Sequence, residues 1–248
     1  MSSRKGHDKK SIHLLGIRVD DVTFAETLEQ MQSFVASGTP HQVCTVNPEF
    51  IMTAQRDAEF RQVLAQSALN IPDGVFLIWA ARRKGHRLRE RVTGSDTLPM
   101  FAEVAARRGY RVFFLGAADG VAQKAADVLR ARYPAFNVVG CYAGSPLPEQ
   151  ADEITTRVRS ARPDALFVAY GAPQQDKWIA RYADNLNVPL MMGVGGTLDF
   201  IAGVVPRAPR LVRQAQLEWL FRLLRPPWRW RRQAAIWQFA WLTFLGKV

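Results

Sequence analysis

Between residues 111 and 200 the chain repeats one pattern: a short apolar run, a glycine-bearing turn, then a polar segment with helical spacing. Residues 111–115 read Arg-Val-Phe-Phe-Leu and stop at Gly116, and residues 165–170 stop at Gly171. Met191-Met192-Gly193 passes through Val194 into Gly195-Gly196. A strand points alternate side chains to opposite faces, so a run that is apolar throughout must be covered on both. Helices between parallel strands supply that cover. The spacing predicts an α/β fold with a doubly wound, mainly parallel Rossmann-like sheet.

The same rhythm extends upstream. Residues 11–21 read as a short strand pair, and 23–37 as a helix with Phe24, Leu28, Met31 and Val35 on one face. Strands are expected at 43–46, 69–71 and 137–141, and helices over 47–65, 97–108, 121–133 and 148–160. The 248 residues, 48% hydrophobic, suffice for one large core. Cys44 and Cys141 are far apart, without metal-ligand spacing, and read as reduced core residues. Residues 1–10 are polar and basic with no apolar run behind them, which predicts a disordered tail rather than a signal peptide.

The net charge of +11 is concentrated at the other end. Residues 207–248 carry eight arginines and Lys247 against Glu218 alone, with five of the seven tryptophans. A helix over 207–225 would align Leu211, Val212, Ala215, Trp219 and Leu223. After Pro226-Pro227, a second segment spaces Trp230, Ala234, Trp237, Trp241 and Phe244 at helical intervals. Arginine beside tryptophan on such a helix suits an anionic membrane surface, and residues 233–245 fall short of the roughly 20 needed to span one. A helix packed on the core or on a second copy is the alternative. The organisation is thus a tail (1–10), an α/β domain (11–205) and a basic, Trp-rich helical appendage (206–248).

The candidate site lies where strands end. Thr45 and Asn47 follow the strand at 43–46, and Asp73 sits in Pro72-Asp73-Gly74 ahead of the apolar run 74–81. Open α/β sheets bind ligands at such carboxyl ends, and a partly desolvated carboxylate makes a better base at neutral pH. Each residue also has a plain structural use: Pro-Asp-Gly as a turn, Asn47 before Pro48 as a helix cap. Gly116, Gly171 and Gly195 could leave backbone N–H groups free for phosphate, although structural turns are the simpler use. Neither G-x-G-x-x-G nor G-x-x-x-x-G-K-[ST] occurs, which argues against an NAD oxidoreductase and a P-loop NTPase.

Taken as a series, the motifs resemble the WecG/TagA/CpsF family of bacterial glycosyltransferases, over about residues 15–232. They are Thr45-Val46-Asn47-Pro48-Glu49, Asp73-Gly74, Glu90-Arg91-Val92-Thr93-Gly94-Ser95-Asp96 and Gly171-Ala172-Pro173-Gln174-Gln175-Asp176. Gly195-Gly196-Thr197-Leu198-Asp199, Arg207-Ala208-Pro209 and Leu217-Glu218-Trp219-Leu220-Phe221-Arg222 follow in order. The resemblance implies an inverting, metal-independent transfer of a sugar from a UDP-sugar to a polyprenyl-pyrophosphate-linked saccharide. The sugar would be N-acetylmannosamine, its uronic acid or glucose, and the setting the cytoplasmic face of the bacterial inner membrane, with no cofactor. It implies Asp73 as general base, Thr45 and Asn47 as polar contacts, Arg91 as an active-site arginine and Gln175 as a substrate-binding amide. Asp199 would lie near the nucleoside, and Arg222, Arg229 and Arg232 would be the appendage arginines.

Two positions depart from the pattern: Gln174-Gln175-Asp176 stands where Lys-Gln-Glu is usual, and Ser145 where an aromatic often follows Gly144. No Asp-x-Asp metal motif occurs, so arginines and backbone N–H groups would have to meet the charge of a leaving diphosphate. Two other classes fit the composition, a basic nucleic-acid-binding protein and a catalytically inactive nucleotide-binding scaffold. No nucleic-acid-binding motif supports the first, and an acid in a glycine-edged cleft would serve no purpose there.

Overall fold

The computed structural model describes residues 10–206 and 230–248. A two-stranded antiparallel hairpin, β1 (Ser11–Leu14) and β2 (Ile17–Asp20), opens the chain. Helix α1 (Phe24–Ser37) follows, with a capping box between Thr23 and Glu26. Then come β3 (His41–Val46), α2 (Pro48–Ala54), α3 (Ala58–Gln66), β4 (Leu69–Pro72), α4 (Val75–Arg83), α5 (Gly94–Arg108) and β5 (Arg111–Gly116). Among the described residues there follow α6 (Val121–Arg132), β6 (Asn137–Tyr142), a 3-10 turn (Pro148–Gln150), α7 (Ala151–Ala161), β7 (Ala165–Ala169), α8 (Gln174–Leu186), β8 (Leu190–Gly193), α9 (Thr197–Ile201) and α10 (Trp230–Phe244).

Strands β3 to β8 form one six-stranded sheet in the order β4-β3-β8-β7-β5-β6, with every pair parallel. Alternation along its strands feeds two sides. Val112, Phe114, Ala165, Phe167, Leu190 and Met192 face one continuous core under α1, α5, α6 and α9. Phe113, Leu115, Leu166, Val168 and Met191 face α7 and α8, while Cys44 and Val46 face α2, α3 and α4. This is the doubly wound arrangement expected from uniformly apolar strands. Both cysteines are free, Cys44 buried and Cys141 half-buried.

The expected helix over 47–65 is two helices. Asp57 ends the first and caps the second, its carboxylate accepting from the Phe60 N–H at 2.9 Å. The helix expected at 97–108 starts earlier, at Gly94, because Thr93 caps it by accepting from the Asp96 N–H and donating to the Asp96 carboxylate. The expected N-terminal tail and the helix over 207–225 lie outside the described residues. Helix α10 rests on α2 and α4, burying Phe239 completely and drawing Ala235 and Leu242 onto the same cluster. Its other side exposes Trp237, Trp241 and Phe244. Among the described residues, no helix is long and apolar enough to cross a membrane.

Candidate active site

The site forms on the carboxyl ends of β3 and β4. Parallel pairing sets Thr45 against Ile71 and Val46 against Pro72, so the two strands finish side by side. The Asp73 N–H then donates to the Val46 carbonyl at 2.8 Å, which holds the turn beside β3 after the ladder ends. Gly74 follows with φ +109°, and a Cβ placed on it would lie 3.5 Å from Pro48 Cδ and 4.0 Å from Asn47 Cβ. Asp73 and Asn47, separate in sequence, therefore stand on adjoining turns. Asn47 caps α2, its Oδ1 accepting from the Phe50 N–H at 3.0 Å. That leaves its NH2 group to offer to a ligand.

The segment after α4 joins the same cluster. The Val92 N–H donates to the Pro72 carbonyl at 2.8 Å, placing half-buried Arg91 alongside the Asp73 turn. Gly94, opening α5, approaches so closely that an added Cβ would sit 2.9 Å from Thr45 Cγ2. Thr45, 9% exposed, is thereby walled in on that side. Three connections thus bring Thr45, Asn47, Asp73 and Arg91 together. Asp73 is half-buried there.

Gln175 and Asp176, in the first turn of α8, form the floor farther along the rim. Gln175 is 2% exposed, and its Oε1 accepts from the Gly195 N–H at 2.9 Å and the Gly171 N–H at 3.2 Å. One amide thus ties the loop after β7 to the loop after β8. Gly193 makes room for it: a Cβ there would lie 2.5 Å from Gln175 Nε2 and 2.8 Å from Asp176 Oδ1. Gly116, at the end of β5, is equally constrained, since a Cβ would come within 2.8 Å of the Ala169 backbone. Asp199 is half-buried in α9 beyond Gly195-Gly196. Arg222 and Arg229 lie outside the described residues, as does the side chain of Arg232.

Sequence reasoning passed over Asp176. It is completely buried, and neither carboxylate oxygen finds a hydrogen-bond partner of full geometry among the described residues. Burial pushes its pKa up to about 7, against weaker opposing help from the neighbouring Gln175 amide and Cys44 thiol. The Cys44 thiol is in turn pushed up, first by burial and then by the Asp176 charge. The one available signal was its place beside Gln175 in a helix's first turn.

Comparison with known proteins gives the family. Residues 12–248 match the glycosyl transferase WecG/TagA/CpsF family. A Bacillus subtilis (strain 168) protein named N-acetylglucosaminyldiphosphoundecaprenol N-acetyl-beta-D-mannosaminyltransferase is 32% identical over 203 residues, covering 82% of this chain and 78% of that protein. A protein of the same name from Staphylococcus aureus (strain NCTC 8325 / PS 47) is 27% identical over 226 residues, covering 90% of this chain and 88% of that protein. With the match running from the first strand through α10, the chain belongs to the glycosyl transferase WecG/TagA/CpsF family.

Proposed function

We propose that the chain transfers a sugar, with inversion, from a UDP-sugar to a saccharide carried on a polyprenyl diphosphate, in the assembly of a cell-envelope polysaccharide. The names of its relatives favour N-acetylmannosamine as that sugar and N-acetylglucosaminyl diphosphoundecaprenol as the acceptor. The observation that carries this reading is the meeting of Asp73 with Thr45, Asn47 and Arg91 at the carboxyl ends of β3 and β4.

In this mechanism the Asp73 carboxylate takes the proton of the acceptor hydroxyl. The hydroxyl oxygen attacks the anomeric carbon as the bond from that carbon to the donor diphosphate breaks on the opposite face, inverting the centre. UDP leaves with the bonding electron pair. Thr45 and the Asn47 NH2 orient the sugar, Gln175 holds the floor, and Asp199 faces the nucleoside. The β5, β7 and β8 loops bearing Gly116, Gly171 and Gly195 line the donor side, while Arg91 and the arginines of residues 207–232 meet diphosphate charge. No metal is required in this scheme, since guanidinium groups do the work that Asp-x-Asp-bound cations do elsewhere.

The exposed Trp237, Trp241 and Phe244 of α10, together with the basic stretch before it, support peripheral attachment to the cytoplasmic face of the membrane. Because Phe239 belongs to the core, removing α10 would damage the domain itself. Substituting Trp237 and Trp241 with serine is the cleaner test, and loss of sedimentation with anionic vesicles is expected. Unchanged sedimentation would reject the attachment.

The decisive experiment is UDP release from a panel of UDP-sugars, each paired with lipid-diphosphate saccharide acceptors, for wild type and Asp73→Asn, with and without EDTA. Asp73→Asn should lower turnover about 10²–10⁴-fold, the usual contribution of a positioned base. EDTA should leave turnover intact. Wild-type rates from Asp73→Asn would remove Asp73 from the mechanism.

A further inference from the structure

A cavity of about 480 Å³ opens between α4 and residues 88–91, next to the turn that carries Asp73. Its volume is that of a small-molecule site, about 300–1,000 Å³. Val75, Ile78, Trp79 and Leu88 make an apolar lining, and Arg82 and Arg91 add guanidinium groups. Arg89 and Glu90 also border the cavity but are engaged elsewhere. Arg89 binds Asp21 and Glu26, and Glu90 accepts from the Phe24 N–H. The guanidinium groups of Arg82 and Arg91 have no ion-pair or hydrogen-bond partner among the described residues.

That combination is chemically selective. A planar guanidinium fork matches phosphate oxygens, while the apolar lining gains by removing hydrocarbon from water. A free nucleotide would leave the lining unused, and a neutral lipid would leave the arginines unused. An anionic head on an apolar chain uses both. The cavity also has direction. At one end, Arg91 is fixed beside the Asp73 turn by the Val92–Pro72 hydrogen bond. At the Trp79 wall, Arg83, itself outside the lining, lies over the rings of both Trp79 and Phe244, 5.9 Å from each centroid, and donates to the Phe244 carbonyl. One part of the lining thus adjoins the turn of the proposed base, and another, Trp79, adjoins the exposed Phe244 of α10 through Arg83.

We propose that this cavity holds the diphosphate and the first isoprenoid units of the lipid-linked acceptor. Arg82 and Arg91 take the diphosphate, Val75, Ile78, Trp79 and Leu88 take the hydrocarbon, and the chain leaves along α10 toward the bilayer. The assignment rests on the acceptor class proposed above and adds Arg82 and the α4 face to the machinery. It also places Arg91 on the acceptor's diphosphate, leaving the donor's to the loops after β5, β7 and β8 and to the arginines of residues 207–232.

The test is calorimetric titration of the full chain with farnesyl diphosphate, inorganic pyrophosphate and UDP, for wild type, Arg82→Glu and Ile78→Ser. Arg82 is exposed, so its replacement leaves folding intact. Arg82→Glu should weaken farnesyl diphosphate about tenfold or more, the worth of a charged phosphate hydrogen bond. Ile78→Ser should weaken farnesyl diphosphate but not pyrophosphate, and UDP binding should be unchanged in both variants. Wild-type farnesyl diphosphate affinity in Arg82→Glu would overturn the site. Equal binding of pyrophosphate and farnesyl diphosphate, with no response to Ile78→Ser, would overturn its lipid character. The two proposals fail separately. Arg82-dependent binding without UDP release from any donor sinks the transferase reading and keeps the cavity's ligand. Turnover with an acceptor KM unmoved by Arg82→Glu does the reverse.

Discussion

Two acids on the same rim of the sheet have opposite surroundings. Asp73, after β4, is half-buried and stands beside an open cavity. Asp176, two residues into α8 after β7, is wholly buried against Cys44, Gln175 and the bare Cα of Gly193. Strands β3 and β8 separate the two positions. One end of the rim is thus partly open to solvent beside a cavity. At the other, one amide bridges the loops after β7 and β8 over a buried acid that is disfavoured as a charge, so these loops can meet a ligand with their backbone while the acid beneath stays closed off. The contrast shows that polar side chains gathered at strand ends are not equally accessible, since burial differs sharply between them.

Substitution at each acid separates the two roles. Asp73→Asn should lower turnover by the largest factor of these changes while costing no more than about 1 kcal/mol of stability, since it keeps the shape of a half-buried side chain. Asp176→Asn should act mainly on stability, and with a pH signature. The folded-state pKa of Asp176 is raised from 3.8 to about 7. Its favourable contribution is therefore complete below pH 3.8 and declines as pH rises toward 7, where the unfolded chain ionises and the folded one resists. Denaturant unfolding at pH 4 and pH 8 should show wild type losing up to about 4 kcal/mol that Asp176→Asn does not lose. Parallel pH dependence in the two proteins would mean that the carboxyl is ionised in the fold, and the contrast with Asp73 would collapse.

Gly193→Ala attacks the closed end sterically. The added Cβ would meet Gln175 Nε2 at 2.5 Å, so the amide must leave its bonds to Gly171 and Gly195. Overpacking of this kind costs about 1–3 kcal/mol. The loss should appear in denaturant unfolding and be accompanied by faster amide exchange at Gly171 and Gly195. Unchanged exchange at those two glycines would show that the bridge does not hold the loops.

Much of this was legible in the sequence, and the reasons for the exceptions are physical. Phe113 and Phe114 are adjacent, apolar and on opposite sides of the sheet, so a strand covered on both faces announced itself. The turn chemistry of Thr45, Asn47 and Asp73 was readable for the same reason, because strand ends are marked by the change from apolar to polar. The break between α2 and α3 was not, since Arg56-Asp57 interrupts a helical period that resumes at once, and only the Asp57 cap reveals a boundary. Helix α10 was ambiguous because both of its sides are apolar: Phe239 and Leu242 on the core, Trp237, Trp241 and Phe244 in the open. Periodicity cannot choose between such sides. Nor can it reveal that Asp176 is buried, because an acid in a helix's first turn is usually solvated.

The smallest effect bears on what keeps the closed end shut. Helix α8 is also tethered from outside, where Lys177 Nζ lies 3.0 Å from Asp57 and 2.6 Å from Glu59 on the α3 side, and Arg181 reaches the same Glu59 at 2.9 Å. Glu59 and then Asp57 raise the lysine's pKa. The Asp57 carboxyl is lowered chiefly by the Phe60 N–H and then by Lys177, and that of Glu59 by Lys177 and Arg181. Lys177→Met keeps the aliphatic stem and leaves the Asp57 cap in place, but it brings two carboxylates together without their shared cation. Partly exposed networks of this kind are worth about 0.5–1 kcal/mol. Lowered carboxylate pKa values confer stability above the unfolded values of 3.8 and 4.5, so the deficit of Lys177→Met should be present at pH 7. It should fade as pH falls through the lowered folded values, and shrink in 1 M salt. Amide exchange at Gly171 and Gly195 should not respond. If the surface tether proved as costly as Gly193→Ala and loosened those glycines equally, the closed end would owe its rigidity to its outside rather than to the buried amide and acid.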